Sequence, residues 1–164
     1  MDSLNITDEI VSFLTDALAE TQLQTKDENV CKSPAVYDGY LPPKKNTRRG
    51  EEDKEQDYYP FVIVRFLFEQ DALYKQNTMK FKFLIGTYSK DERQGWRDTL
   101  LVMNRIKFAL KEAQTIGPAD LTGEIESALF EEQMKPMWHG VMEVDFLTPQ
   151  VQWNGSVAGD GIDY

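Results

Sequence analysis

The sequence predicts an α+β domain: a mostly antiparallel four-stranded sheet with an N-terminal helix and a long central helix packed on one face, in the order α-β-β-α-β-β. Three stretches carry that expectation. Phe61-Val62-Ile63-Val64-Arg65-Phe66-Leu67-Phe68 is nearly all apolar, rich in Val, Ile and Phe, and too short for a buried helix, which favours a strand. Met79 to Tyr88 alternates, with Met79, Phe81, Phe83 and Ile85 on one side and Lys80 and Lys82 on the other, the pattern of a half-buried strand. Trp96, Leu100, Met103, Ile106 and Leu110 recur at helical spacing and form one stripe.

Residues 4–20 read as an amphipathic helix. Ile10, Val11, Leu14, Ala17 and Leu18 share a face, and Asn5 or Thr7 can cap the start. A helix of this length is marginal alone, so its stripe must dock on something. Residues 24–57 fit regular structure poorly and read as a long charged loop. Within it, Val36–Leu41 is a short extended piece that turns at Asp38-Gly39 and is broken by Pro42-Pro43. A basic block follows (Lys44, Lys45, Arg48, Arg49), then an acidic one (Glu51, Glu52, Asp53, Glu55, Asp57). Such blocks are solvated in an isolated subunit and can pair with each other or with neighbouring copies.

Pro60 lacks an N–H and suits the first residue of the first strand. Alternation places Val62, Val64, Phe66 and Phe68 on one face and Phe61, Ile63, Arg65 and Leu67 on the other. Both faces are apolar except at Arg65, so both are expected to be covered. Arg65 then needs a partner, for which Asp98 or a carboxylate of a neighbouring copy is available. Glu69–Thr78 exceeds a tight hairpin loop and reads as a protruding connection between antiparallel strands.

The helix over about 94–114 has Asp91 and Glu92 near its positive end and Gly117-Pro118 beyond its last turn. Leu101, Val102, Phe108 and Ala109 widen its apolar surface further than docking on one sheet face requires. Arg97 sits at the end that disfavours a cation. Residues 116–135 fit either a helical turn or a strand. Trp138–Phe146 has clear period-2 patterning, with Trp138, Met142, Val144 and Phe146 inward and His139, Glu143 and Asp145 outward. Gly140 on the inward face suggests a bulge or a close approach. Trp153 has a large apolar body to dock, and residues 154–164 form a Gly-rich, flexible tail. The division is thus a single domain over 1–153 followed by that tail.

At 164 residues the chain is long enough to bury one real core. Its formal net charge of −10 argues against tight duplex binding, which needs a basic face to displace phosphate counterions. An acidic surface instead lets DNA slide past without sticking. A lone cysteine, Cys31, excludes an internal disulfide and fits a reducing cytoplasm. No apolar run has transmembrane length, and Met1–Leu4 lacks the features of a signal peptide.

No catalytic, metal-binding or cofactor-binding set is expected. His139 is the only histidine, reads as an exposed residue on a polar strand face, and lacks converging ligands. A hydrolase triad would need it as base, but no Gly-x-Ser-x-Gly elbow is present. Residues 117–123 lack the Gly-Lys-Ser/Thr ending of a phosphate loop.

Four short patterns arrive in order: Tyr59-Pro60-Phe61-Val62-Ile63-Val64-Arg65, Ile85-Gly86-Thr87-Tyr88, Gly95-Trp96-Arg97-Asp98 opening a helix, and Pro136-Met137-Trp138-His139-Gly140. In order and spacing, residues 36–153 resemble the tail terminator (tail completion) proteins of long-tailed phages and prophages. Trp96 stands where that family more often has Tyr. The resemblance implies that residues 116–135 contain a strand that hairpins onto the next. It also implies a non-enzymatic virion protein: a ring, typically hexameric, capping the head-proximal end of the tail tube, stopping tube polymerisation and joining the head connector. Its partners would be copies of itself, the tube protein and the connector, with DNA passing through unbound. The expected interface residues are Lys44, Lys45, Arg48, Arg49, Glu51 and Glu52 in the charged loop, Arg65, Tyr74 in the 69–78 connection, Arg97, the outer helix face (Leu101, Arg105, Phe108) and Trp153. Another neck or minor tail protein, or an acidic DNA-mimic binding protein, are the alternative readings.

Overall fold

The computed structural model describes residues 2–43 and 54–149. Two helices, α1 (Ser3–Ala17) and α2 (Trp96–Ala113), pack on one face of a curled, half-barrel sheet. The strands are β1 (Leu23–Gln24), β2 (Cys31–Lys32), β3 (Ala35–Asp38), β4 (Phe61–Gln70), β5 (Asn77–Tyr88), β6 (Thr115–Ile116), β7 (Ala119–Leu129) and β8 (Met137–Thr148). A 3₁₀ turn occupies Lys54–Tyr58.

The four-stranded antiparallel sheet in the order α-β-β-α-β-β is therefore corrected. The main sheet has six strands in the order β3-β4-β5-β8-β7-β6, and β1 and β2 form a separate two-stranded sheet. It is also mixed, because β3 runs parallel to β4, with Ala35 opposite Phe61 and Asp38 opposite Val64. The reason is local. Residues 35–38 are short and carry little apolar alternation, so pattern alone does not mark them as sheet. They are held because β4 offers an apolar edge at Phe61–Val64.

The central pairing joins β5 to β8 antiparallel from Asn77↔Thr148 to Tyr88↔Met137, the full length of both 12-residue strands. It places Met79 beside Phe146, Phe81 beside Val144 and Phe83 beside Met142 on the helix-covered face. All six are buried there. α1 adds Ile6, Ile10 and Leu14, with Leu18 at its C-cap, over the β3–β4 side; α2 adds Val102, Met103, Ile106 and Leu110 over the β5–β8–β7 side. The α2 stripe is turned from the expected one: Thr99 and Val102 are buried while Trp96 and Leu100 are only half-buried. Thr87 and Thr99 share a buried hydroxyl–hydroxyl hydrogen bond of 2.7 Å, fixing the first turn of α2 on β5.

The start of α1 differs from expectation in its cap. Asp2, not Asn5 or Thr7, caps α1, its carboxylate accepting from the Asn5 N–H at 2.9 Å. Before α2, the Asp91 carboxylate accepts from the Arg93 and Gln94 N–H groups, each at 3.0 Å, closing the turn that leads into the N-cap Gly95, while the Arg97 and Asp98 N–H groups donate to the Gln94 and Gly95 carbonyls. α2 ends at Gln114, which adopts the left-handed conformation at φ 63°, three residues before Gly117.

Two glycines mark where layers approach closely. At Gly140 a Cβ would lie 2.5 Å from the Met103 Sδ, so the close approach expected there is to α2. At Gly86 a Cβ would lie 2.4 Å from the Phe61 ring and 2.8 Å from that of Tyr59. Met103 can swing its flexible end away, whereas the two rings are themselves packed. Gly86→Ala is expected to cost about 1–3 kcal/mol and Gly140→Ala less. Urea unfolding with an unchanged m-value checks the order; equal losses would contradict it.

Candidate functional site

Beyond the core, two exposed apolar surfaces and one aromatic nest stand out. The first surface is the outer half of the β4–β5 hairpin. β4 is buried on both faces only over Phe61–Val64, the stretch alongside β3. Past it, Phe66, Leu67 and Phe68 are exposed, which corrects the expectation that both faces of this strand are covered. β3 is simply too short to reach them. A register shift between Phe66 and Phe68 also sets Phe68 opposite Lys80 instead of in the alternation with Val62 and Val64. Phe66 keeps an edge-on contact with the Phe81 ring at 5.7 Å.

At the tip, Leu73 is 81% exposed and Tyr74 86%. Tyr74 holds φ 66°, a left-handed conformation that costs a bulky side chain free energy and serves here to project the ring into solvent. The Lys75 N–H donates to the Ala72 carbonyl at 3.2 Å, closing the turn. At the neck, the Asn77 amide donates to the Glu69 carboxylate at 2.5 Å. Tyr74 was in the sequence-derived set; Leu73, Phe66 and Phe68 were missed, although an apolar Leu-Tyr pair inside an otherwise polar connection was a readable signal.

The second surface runs along the side of α2 turned away from the sheet. A shallow groove of about 650 Å³ is lined by Ala17 of α1 and by Leu101, Asn104, Arg105, Phe108, Ala109 and Glu112. It continues past Leu101 and Asn104 into a hollow of about 440 Å³ beside Trp96, Arg97 and Asp98. The expected interface residues Leu101, Arg105 and Phe108 therefore lie together, with Phe108 62% exposed. Arg97 stacks towards the Trp96 ring at 5.4 Å. Asp98, half-buried and near Asp91, is held above the usual carboxylate range, chiefly by burial.

Arg65 is placed differently. Its Nε donates to the Gly39 carbonyl at 2.9 Å and its guanidinium lies 4.4 Å from the centre of the Tyr40 ring. It thus anchors the turn after β3, not Asp98. Lys44, Lys45, Arg48, Arg49, Glu51, Glu52 and Trp153 lie outside the described residues.

The nest lies on the sheet face opposite the helices, where Tyr59, Phe61, Ile63, Tyr88 and Met137 form a second cluster. His139 is not on the surface as expected but half-buried at its rim. The Tyr59 hydroxyl and the His139 Nε2 are 2.7 Å apart, and Phe130 stacks on the imidazole at 5.6 Å. Burial holds His139 below its ordinary value, with the Glu55 carboxylate opposing. Elsewhere, Cys31 is exposed in a hollow of about 200 Å³ with Tyr88 and Lys90, and Lys90 pairs with Glu28 at 2.8 Å. Among the described residues no three His, Cys, Asp or Glu side chains gather as a metal site.

The histidine gives a pH signature. Its folded value lies below about 6.5, so between the two values the unfolded chain binds more protons than the folded one. Its stabilising contribution is complete above that window and is lost as pH falls through it. His139→Gln should flatten the fall in stability within that window relative to the wild type, read by urea midpoints at successive pH values; parallel curves would contradict it.

No protein-family model matches this chain, and no curated protein matches it in sequence.

Proposed function

We propose that this chain is a structural subunit of a phage-type tail, a tail terminator that assembles into a ring, caps the head-proximal end of the tube and meets the head connector. The order and spacing of the four motifs supports this reading. One physical observation carries it furthest: a single subunit exposes two apolar surfaces of different shape, a projecting hairpin tip and a shallow groove on α2. Exposed contiguous apolar surface marks a contact site. Two dissimilar patches suit a heterologous contact, which closes into a ring when the rotation between copies allows. The acidic balance of −10 fits a wall past which DNA moves without being held. No bond-making chemistry is assigned to the chain.

A phage or prophage lacking this protein should assemble tails with overlong tubes that fail to join heads, seen directly by electron microscopy. Tails of normal length joined to heads would overturn the reading.

A further inference from the structure

We infer that the hairpin tip of one copy seats in the α2 groove of the next. This rests on the ring reading and names the contact that builds the ring. The tip presents Leu73 and Tyr74 between an acid, Asp71, and a base, Lys75. The groove presents Leu101 and Phe108 with the reverse pair, Arg105 and Glu112. Arg105 and Glu112 lie seven residues apart on one helix, a rise of about 10 Å. A closed turn with a long lysine on one limb spans that distance, so Asp71 meets Arg105 as Lys75 meets Glu112. Among the described residues none of these four charges is in an ion pair.

The two halves do not meet within one chain. Tyr74 is 86% exposed and Phe108 62% exposed in the same subunit. The complementary surface for each is thus found on a second copy. The left-handed backbone at Tyr74 is accounted for in the same way, since it directs the largest ring of the tip outward. A buried aromatic seated in a pocket is the commonest source of binding energy at such contacts.

The test uses the full chain and two variants at exposed positions, Leu73→Ser with Tyr74→Ser, and Phe108→Glu. Circular dichroism melts confirm that each stays folded. Native mass spectrometry over a concentration series should show the wild type as a discrete ring and each variant alone as a monomer, its association weakened at least about thirtyfold. Mixed in equal amounts, the variants retain one intact hairpin and one intact groove between them. They should form a heterodimer and nothing larger. Asp71→Arg and Arg105→Asp should each weaken assembly by about tenfold and restore it in combination. Rings formed by either variant, or a mixture that yields full rings or no complex, would overturn this contact while leaving the ring reading standing. A wild type that is monomeric at every concentration would likewise overturn it, whereas the ring reading falls only on tail length.

Discussion

The pairing of β5 with β8 is the constraint from which the rest of the molecule follows. It runs without a break from Asn77↔Thr148 to Tyr88↔Met137, so the alternation of both strands is locked in phase. A one-residue slip of either strand against the other would send its apolar side chains to the open face and bring its charges under the helices, Lys80 and Lys82 from β5 or Glu143 and Asp145 from β8. Burying either like-charged pair away from its partners costs several kcal/mol per charge. With the phase fixed, one face accepts α1 and α2. The turn between β8 and β7 keeps Leu129 beside Gly140, where Met103 of α2 comes down onto the sheet.

Magnitudes separate the two faces. On the helix side a buried phenylalanine is worth about 3–5 kcal/mol against alanine. On the other side Lys80 approaches Glu143 and Asp145 at 3.8 Å in each case, with all three side chains a third or more exposed. Exposed pairs of that kind contribute about 0–1 kcal/mol. The open face is therefore held by its aromatic end, where Tyr59, Phe61 and Tyr88 cluster, and not by its charge ladder. Stability falls off along β4 in the same direction: a strand flanked by β3 and β5 at Phe61–Val64 becomes a strand with one neighbour beyond it, and the apolar side chains of that half stay exposed.

How much of this was legible follows from which physical signal each element carries. β4, β5, α2 and β8 have strong local periodicity, and their residues identify themselves. β1, β2, β3 and β6 span only two to four residues each, too few for a period; β3 and β6 exist because β4 and β7 offer open edges, and β1 and β2 because they pair with each other. β7 sits between these cases: Leu121 and Ile125 are set opposite Phe146 and Val144 of β8, while Glu124 and Glu126 blur the alternation. At the candidate site, Leu101 and Phe108 were readable because they exceed what one helix stripe needs, and Arg105 lies between them on the same outer face. The outer half of β4 was not readable, since its exposure depends on how far β3 extends; Leu73 was readable as an apolar residue in a polar connection and was passed over. His139 was misread because alternation, which placed it correctly on the face away from the helices, does not show what covers that face: Tyr59 comes from a distant segment and Phe130 from across the β7–β8 turn.

Charge decides what kind of contact the proposed assembly must rely on. Copies carrying −10 each repel one another at long range, and this repulsion fades beyond about 8 Å at physiological salt. Contact must therefore come from short-range apolar burial with a few opposed charges at its rim, the composition of the hairpin tip and of the α2 groove. Added salt screens the few rim pairs as well as the repulsion, and with ten net charges on each copy the repulsion dominates, so association is favoured. A protein held by nucleic acid behaves in the opposite sense, because each phosphate contact releases counterions and weakens as salt rises. In the proposed ring, the acidity that would keep DNA from sticking requires that copies recognise one another through shape and apolar surface, with charge setting orientation more than affinity.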